Sequence, residues 1–300
     1  MLPSIDPGQF RSLTALAAVV ELRDPYTGGH LWRVGRYAGL LAEAAGLDGE
    51  EVFLAAIGGV LHDLGKIGVP DAILRKPDRL TDEEYAVMKT HPAAGRDLLR
   101  VHPLGGLVLD AVHCHHEQVG GGGYPAGKAG DEIPLVARIV GLVDAFDAMT
   151  STRPYRAGMP VAKALRIIGE ERGRQFDAAL VDAFLGLSGK GVLEHVVGHS
   201  DDGVRLVSCP ACGPIIAIPR GTRDGGVVLC RNCRTRFVLH RRGDGFEPEP
   251  DGSVGTPDEL YPRPEQEALA EFVARAPKAR TVLGFRLPWP ARRRPRSNHL

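Results

Sequence analysis

The stretch LHDLGKIGVP, residues 61–70, decides how the rest of this chain is interpreted. Apolar residues lead into it, then His62 and Asp63 stand side by side, and Gly65 and Lys66 follow. An imidazole, a carboxylate and an ammonium are each costly to bury unless a partner compensates them. Their place at the end of an apolar helical pattern predicts that metal ions or a charged substrate compensate them there.

The first 190 residues show apolar side chains at helical spacing throughout. One segment opens with Asp48 and Glu51, which have the spacing of a capping box, and Thr81 and Glu84 repeat it. No convincing strand pattern interrupts these helices. We therefore predict an all-α domain, a helical bundle, over residues 1–190.

The composition changes after this domain. We predict a linker at residues 191–203 and a small module at 204–243, where short β-branched pieces flank CPAC at 209–212 and CRNC at 230–233. Seventeen residues separate the two pairs, a spacing typical of a four-thiolate zinc site. A redox disulfide is the alternative. The predicted zinc-ribbon-like module would hold one structural zinc through Cys209, Cys212, Cys230 and Cys233.

Residues 244–300 are rich in Pro, Gly and charged side chains, and we predict a largely disordered tail with one short helix at QEALAEFVARA. The whole chain balances 37 basic against 37 acidic residues, so net charge indicates neither nucleic acid nor membrane. Residues 204–243 alone hold eight arginines and one acid. This basic module and the Arg-rich tail leave open a protein partner, an anionic surface or nucleic acid.

Two further features bear on location. No apolar run reaches the roughly 18 residues that a membrane span needs, and no signal peptide is visible at the start. Five cysteines, four of them in Cys-x-x-Cys pairs, favour metal binding in a reducing compartment over disulfides. We expect a cytoplasmic protein, with a homodimer left open.

Histidines and carboxylates recur along the predicted helical domain. One histidine alone is more often a packed residue than a ligand, but a set of imidazoles and carboxylates suits Mn, Fe or Zn, and a carboxylate bridges two ions readily. Two ions roughly 3.5–4 Å apart polarise a phosphate for in-line displacement. The residues alone predict a dinuclear helical metalloprotein, with the candidates His30, His62, Asp63, His91, His115, His116 and Asp144.

Four longer stretches carry a family resemblance: RDPYTGGHLWRVGRYA, LHDLGKIGVPDAILRKPDRLTDEEYAVMKTHP, HHEQVGGGGYP and VDAFDAMTSTRPYR. In this order, over residues 10–187, they resemble the HD-GYP family, a branch of the HD-domain metal phosphohydrolases. The resemblance implies a phosphodiesterase that converts cyclic di-GMP to the linear dinucleotide or to GMP, with an iron or manganese centre. A catalytically weak nucleotide-binding signalling module, and a hydrolase for another cyclic dinucleotide or nucleotide, are the alternatives.

The resemblance also implies the ligands of each metal. His30, His62, Asp63 and Asp144 would hold one ion. Asp63 would bridge to a second ion held by His91, His115 and His116. Members with three metals carry a glutamate four residues before the first histidine; here that residue is Tyr26, so we expect two metals.

Substrate contacts follow by the same resemblance. Asp63 and Lys66 are the expected catalytic residues, with Lys66 on the scissile phosphate. The expected substrate-binding residues are Gly123, Tyr124 and Pro125, which form the GYP loop, together with Asp147, Arg153 and Arg156. Arginine suits this role because its guanidinium forks onto phosphate or a guanine edge. For Asp147, a supporting hydrogen bond to a metal ligand is an equal alternative.

The segment before the GYP loop departs from the family pattern. The family usually has Trp-Asp there, whereas Val119 and Gly120 stand here, at the start of a run of four glycines that ends at Gly123. Such a run loses more conformational entropy on ordering, and one carboxylate is missing. We expect this difference to bear on substrate affinity and loop closure.

Overall fold

The computed structural model describes residues 5–23, 29–76, 78–151, 158–188, 192–197, 199–201, 204–212, 215–218, 222–230, 233–243, 245–256 and 259. Within these residues the α-helices are α1 Pro7–Arg23, α2 His30–Ala44, α3 Gly49–Leu61, α4 Asp71–Leu74, α5 Asp82–Met88, α6 His91–Leu99, α7 Leu109–Cys114, α8 Leu135–Thr150, α9 Val161–Glu170, α10 Ala178–Leu185 and α11 Val192–Val196. The strands are β1 His199–Asp201, β2 Val204–Ser208, β3 Ile215–Ala217, β4 Gly226–Leu229, β5 Thr235–Arg242 and β6 Gly245–Val254.

Helices α2, α3 and α8 form the centre of the helical domain. Helices α2 and α3 approach closely at a pair of glycines, since a Cβ on Gly59 would lie 2.9 Å from the Cα of Gly35. The main apolar core lies between α2, α8 and α10 and includes Tyr37, Phe146 and Phe184. A second core joins α1 to α3. The described helices confirm the predicted helix-rich domain, and none of them is both long and apolar enough to cross a bilayer.

Helix caps fix where the site-bearing segments begin. The Asp48 carboxylate accepts hydrogen bonds from the amides of Glu50 and Glu51, and the Glu51 carboxylate accepts from the amide of Asp48. Thr81 and Glu84 form the same reciprocal pair at α5. Both predicted capping boxes are confirmed, and the first sets α3 so that it ends where His62 begins.

The predicted linker at 191–203 contains secondary structure. Helix α11 places Leu193 and Val196 in the main helical core, and β1 pairs antiparallel with β2. Residues 192–197 of the linker contain no glycine, so Val192–Val196 has enough apolar side chains to bury a helix face. The chain is therefore attached to the helical domain up to the start of the module.

The C-terminal module has two three-stranded antiparallel sheets, ordered β1-β2-β3 and β4-β5-β6. Their shared core contains Ile216, Val228, Phe237 and Leu239 beside the cysteines. The structure corrects the disorder predicted for the start of the tail, because Gly245–Val254 pairs with β5 over most of its length. Alternating Phe246, Glu247 and Glu249 suit an edge strand, and the prolines among them lie on that edge. The short helix predicted at QEALAEFVARA and the Arg-rich tail lie outside the described residues.

Candidate metal centre

The seven candidate ligands arrive from five helices and meet at one place. They sit at helix ends or inside α8: His30 begins α2, His62 and Asp63 follow α3, His91 begins α6, His115 and His116 follow α7, and Asp144 lies within α8. His30, His62, Asp63, His91 and His115 are buried, and the Asp144 side chain is 17% exposed. A cluster of this composition with so little water needs cations to compensate its carboxylates.

Asp63 stands between two groups of histidines. Its Oδ2 lies 3.4 Å from His30 Nε2 and 3.3 Å from His62 Nε2, whereas its Oδ1 lies 3.3 Å from His91 Nε2. Asp144 Oδ1 closes the first group at 3.4 Å from His30 Nε2. In the second group, Nε2 of His91 lies 3.2 Å from Nε2 of His115. Each carboxylate oxygen of Asp63 therefore faces a different group.

Backbone carbonyls orient the rings. Nδ1 of His62 lies 2.7 Å from the Gly59 carbonyl oxygen, Nδ1 of His91 lies 2.8 Å from that of Met88, and Nδ1 of His115 lies 3.0 Å from that of Val112. A proton on Nδ1 donates to each carbonyl and leaves the Nε2 lone pair aimed at the centre, as metal-binding imidazoles require. Buried Nε2 of His62 has no hydrogen-bond partner among the described residues.

Electrostatics divides the histidines into two classes. Burial lowers the pKa of His91 to about 4 and of His116 to about 3, so both rings are neutral at pH 7. Burial also acts on His62, but adjacent Asp63 and Asp144 outweigh it and raise the His62 pKa to about 10. The pKa values of both carboxyls lie below their usual range despite burial, because His62 is beside them. A divalent cation would take the place of the His62 proton.

The donor set fits two divalent ions. The ligand atoms of His30, His62 and Asp144 lie within 4.8 Å of one another, and so do those of His91, His115 and His116. Imidazole nitrogen and carboxylate oxygen are the donors that Fe, Mn and Zn take. The arrangement has the composition of a dinuclear site with one shared carboxylate.

Asp147 occupies a supporting position instead of the expected position on the substrate. Its side chain is 1% exposed, and its Oδ2 lies 2.8 Å from His30 Nδ1. Its oxygens also accept hydrogen bonds from Nε and Nη2 of Arg33 at 2.6 and 3.0 Å. With both oxygens engaged and buried, Asp147 orients His30. Arg33 is a residue that the sequence analysis missed; its position three residues after His30 on an apolar helix was the available signal.

Lys66 and the GYP loop lie beside the centre. The Lys66 ammonium donates to Asp63 Oδ2 at 2.6 Å, and its side chain is 19% exposed. The Tyr124 ring stacks on His116 with centroids 4.7 Å apart, Pro125 is exposed, and Gly123 packs against the backbone of Glu117 and Gln118. Burial, and then neighbouring Tyr85, raise the Tyr124 pKa, so its hydroxyl keeps its proton. Arg153 and Arg156 lie outside the described residues.

Backbone contacts hold the glycine run in place. The Gly120 amide donates to the Arg174 carbonyl at 2.8 Å, and the Val119 amide donates to that of Gln175 at 3.2 Å. The Glu117 carboxylate accepts from the amides of Ala126 and Lys128 on the far side of the loop, at 2.7 and 3.0 Å. The segment that carries Tyr124 is therefore anchored at both ends.

Four cysteine sulfurs form a second cluster in the module. Cys209 Sγ lies 3.7 Å from Cys233 Sγ, and Cys212 Sγ lies 3.6 Å from the sulfurs of Cys209 and Cys230. These separations are too long for disulfides, which have an S–S bond of about 2.05 Å. They match the edges of a tetrahedron around zinc, which are about 3.8 Å for a Zn–S distance of about 2.3 Å. The four side chains fit one structural zinc.

Comparison with known proteins gives a consistent set of relatives. The HD domain family model matches residues 14–180. The cyclic di-GMP phosphodiesterase response regulator RpfG of Xanthomonas campestris is 42% identical over 200 residues, 65% of this chain and 52% of that protein. A cyclic di-GMP phosphodiesterase of Thermotoga maritima is 42% identical over 182 residues, 59% of this chain and 49% of that one. The 3'3'-cGAMP-specific phosphodiesterase 3 of Vibrio cholerae is 41% identical over 160 residues, 53% of this chain and 34% of that protein. The chain spans about half the length of the first two of these relatives.

Proposed function

Because this chain belongs to the HD-domain family, we propose that it is a metal-dependent phosphodiesterase that hydrolyses cyclic di-GMP to the linear dinucleotide and onward to GMP. Relatives 42% identical to it carry the name cyclic di-GMP phosphodiesterase. The observation that carries the proposal is Asp63, whose two carboxylate oxygens face two separate groups of ligands. Such a carboxylate is suited to bridging two metal ions.

In this proposal the two metals are iron or manganese. His30, His62, Asp63 and Asp144 hold one, and Asp63, His91, His115 and His116 hold the other. When bound, two such ions supply Lewis-acid activation of a phosphate and of water. The chain's own contribution is to hold Nδ1 of His62, His91 and His115 on backbone carbonyls, so that Nε2 of each ring is aimed inward.

Other residues of the chain prepare the site for an anionic substrate. Lys66 places an ammonium at the edge of the cluster, where it offsets negative charge on a phosphate as the reaction proceeds. Tyr124 offers a neutral hydroxyl as a hydrogen-bond donor beside His116. Arg33 and Asp147 hold His30 in one orientation. These groups are fixed before substrate arrives, which lowers the cost of reorganisation.

The proposal extends to the C-terminal module and to location. Cys209, Cys212, Cys230 and Cys233 hold one structural zinc in a ribbon-like module, since all four positions of a tetrahedron are filled by sulfur. Thiolates of this kind persist in a reducing compartment, so we place the enzyme in the cytoplasm. The module is the proposed contact for a protein partner.

A second candidate substrate is 3'3'-cGAMP. The relative named as specific for it is 41% identical to this chain, nearly as similar as those named for cyclic di-GMP. Both dinucleotides present a phosphodiester and purine bases to the same site. The remaining alternative, a module that binds the nucleotide without turnover, is opposed by the complete set of metal ligands.

The test is turnover of cyclic di-GMP and 3'3'-cGAMP by protein purified without oxygen, with Fe, Mn and Zn counted per chain. We expect linear product, about two redox-active metals and one zinc. Asp63→Asn should abolish turnover and lower the count of redox-active metals, whereas Asp97→Asn, on an exposed carboxylate, should change neither. Binding without turnover at full metal occupancy would contradict the proposed enzyme and favour the binding module.

A further inference from the structure

A cavity opens directly beside the candidate metal centre. It has a volume of about 260 Å³ and is bordered by His116 and Asp144 on the side of the centre. Sites that enclose a whole drug-sized ligand measure roughly 300–1,000 Å³. This cavity is therefore sized for one part of a cyclic dinucleotide, next to the place where its phosphate would be cleaved.

Two side-chain amides line the cavity wall. Gln118 and Gln175 both line it and are half-buried, and neither amide has a hydrogen-bond partner among the described residues. Each amide presents one acceptor and two donor hydrogens. Both amides are open to the cavity, so a ligand with matching donors and acceptors can hydrogen-bond to them.

The rest of the wall is aromatic and apolar. Tyr124 stacks on His116, and Phe176 closes the buried end at 6% exposure. Tyr85, 47% exposed on α5, also lines the cavity and lies beside Tyr124. Aromatic rings in the wall of a cavity offer stacking surfaces to a nucleobase.

The backbone fixes the amides relative to the GYP loop. The Gln175 carbonyl accepts from the Val119 amide, so the segment that carries Gln175 is joined to the segment that carries Gln118. The Gln118 side chain lies against Gly122, where an added Cβ would be 3.1 Å from Gln118 Oε1. The glycine run thus leaves space for this amide beside the cavity.

We propose that this cavity binds one purine base of the cyclic dinucleotide, with Tyr85 and Tyr124 against its face and the amides of Gln118 and Gln175 hydrogen-bonded to its edge. The proposal rests on the proposed function, which supplies the dinucleotide. It assigns base recognition to Gln118, Gln175, Tyr85 and Tyr124, none of which is a candidate metal ligand. Apolar walls with a few convergent polar groups are the usual composition of such pockets.

Gln175→Leu and Gln118→Leu remove the amides and nearly keep the side-chain volume. We expect each to lower kcat/KM for cyclic di-GMP about tenfold or more, mainly through KM. Hydrolysis of bis(4-nitrophenyl) phosphate, a phosphodiester without a base, and the metal content should stay unchanged. Gln9→Leu, on an exposed position of α1, is the matched control and should alter nothing.

A second measurement separates this proposal from the proposed function. Binding of GMP is titrated by calorimetry in the metal-loaded wild type and in each variant, independently of turnover. Weaker GMP binding in Gln175→Leu supports the base pocket even if cyclic di-GMP is not hydrolysed. Wild-type affinity and wild-type kcat/KM in both leucine variants overturn it and leave the phosphodiesterase intact, and absence of GMP binding to the wild type overturns it as well.

Discussion

Arg33 and His30 lie on the same face of α2, three residues apart, and one buried carboxylate joins them. Asp147 takes two hydrogen bonds from the Arg33 guanidinium and one from Nδ1 of His30. Arg33 also reaches Ser151 Oγ at 3.0 Å. A guanidinium fork fits a carboxylate in one geometry, so Arg33 sets where Asp147 stands and, through it, how the His30 ring is turned.

Arg33→Met should therefore destabilise the protein and weaken the metal centre. The variant leaves the buried Asp147 carboxylate with only His30 and the Ser151 hydroxyl as partners among the described residues, and breaking a buried pair in this way costs about 3–5 kcal/mol in the free energy of unfolding. Urea unfolding and metal counting test both effects. Arg172→Met, which removes the exposed pair with Asp182, is the control and should change neither. Full metal content in Arg33→Met would show that His30 needs no such support.

Arg33→Lys separates orientation from charge. Lysine keeps the positive charge beside Asp147 but lacks the planar fork. We expect it to restore most of the folding stability that Met loses and to leave metal affinity reduced. Equal metal affinity in the lysine variant and the wild type would mean that charge alone suffices.

The neutral histidines make the metal-free protein sensitive to acid. An unfolded histidine titrates near 6.5, whereas burial holds the folded pKa of His91 at about 4 and of His116 at about 3. Between these values the unfolded state binds more protons, so stability falls as pH drops from about 6.5 towards 4. The slope is at most about 1.4 kcal/mol per pH unit for each histidine.

Urea unfolding of chelator-treated protein at a series of pH values measures this slope. The double variant His91→Gln, His116→Gln should reduce the slope between pH 6.5 and 4.5, and the part that remains belongs to His115, whose pKa burial also lowers. His240→Gln, on the module, should retain the wild-type slope. A flat wild-type profile would show that the two imidazoles are not buried in the metal-free state.

How far these residues could be predicted depends on what decides their role. The ligands could be identified from sequence because each belongs to a local motif of fixed chemistry, and the structure brings all seven together. Arg33 could not, since an arginine on a helix is usually solvated, and only packing of α2 against α8 buries this one. The sequence could not decide whether Asp147 binds substrate or supports a metal ligand, because that depends on which residues pack against its face of α8.

At the scale of elements, glycine is required in the run before the GYP loop for two reasons: close approach to other backbone atoms and a positive φ angle. An added Cβ on Gly123 would lie 2.4 Å from Glu117 Cα, and one on Gly120 would lie 2.8 Å from the Arg174 carbonyl oxygen. Gly121 has φ of +84° and needs glycine for that reason. The sequence analysis considered the run only as an entropy cost that bears on substrate affinity and loop closure. Its contacts show instead that three of the four positions are required by close approach or by conformation.

Gly123→Ala should consequently impair the site without unfolding the protein. Backbone atoms would have to move to admit the methyl group, and Tyr124 would leave its stack on His116. We expect kcat/KM for cyclic di-GMP to fall about tenfold or more, with metal content retained. Gly106→Ala is the control, because an added Cβ there meets no atom within 4 Å. Wild-type kinetics in Gly123→Ala would show that the loop's backbone position does not matter.

Strand β6 illustrates what composition conceals. Its Pro, Gly and acidic residues are typical of a disordered segment, yet it pairs with β5, Phe246 packs against the module core, and acidic side chains meet basic ones across the two strands. Glu247 lies 3.1 Å from Arg242, and Glu249 lies 3.1 Å from His240. Opposite charges across neighbouring strands stabilise a pair by a few tenths of a kcal/mol. These contacts join two different strands, so the sequence pattern of residues 245–254 alone could not predict the strand.

At the scale of the whole molecule, β6 also changes the charge of the module. The eight arginines of residues 204–243 face one acid in that range, but the residues from 244 to 256 add four more acids. Four thiolates with one zinc would remove two further positive charges. Little surplus positive charge remains to attract a polyanion, which weakens the nucleic-acid alternative.

The helical centre and the module are joined through α11 but have separate ligand sets. The seven candidate ligands of the helical centre lie between residues 30 and 144, and the four cysteines follow residue 208.

Cys230→Ser in the full chain should therefore lose the zinc and make the module sensitive to protease, because a small metal-bound fold depends on its metal. Turnover and redox-active metals should change by less than about twofold, since no helical ligand is touched. Cys114→Ser is the matched control for the zinc count, because its sulfur lies outside the four-cysteine cluster. Zinc retained in Cys230→Ser would refute the four-thiolate site, whereas loss of turnover along with zinc would show that the helical centre depends on the module through α11.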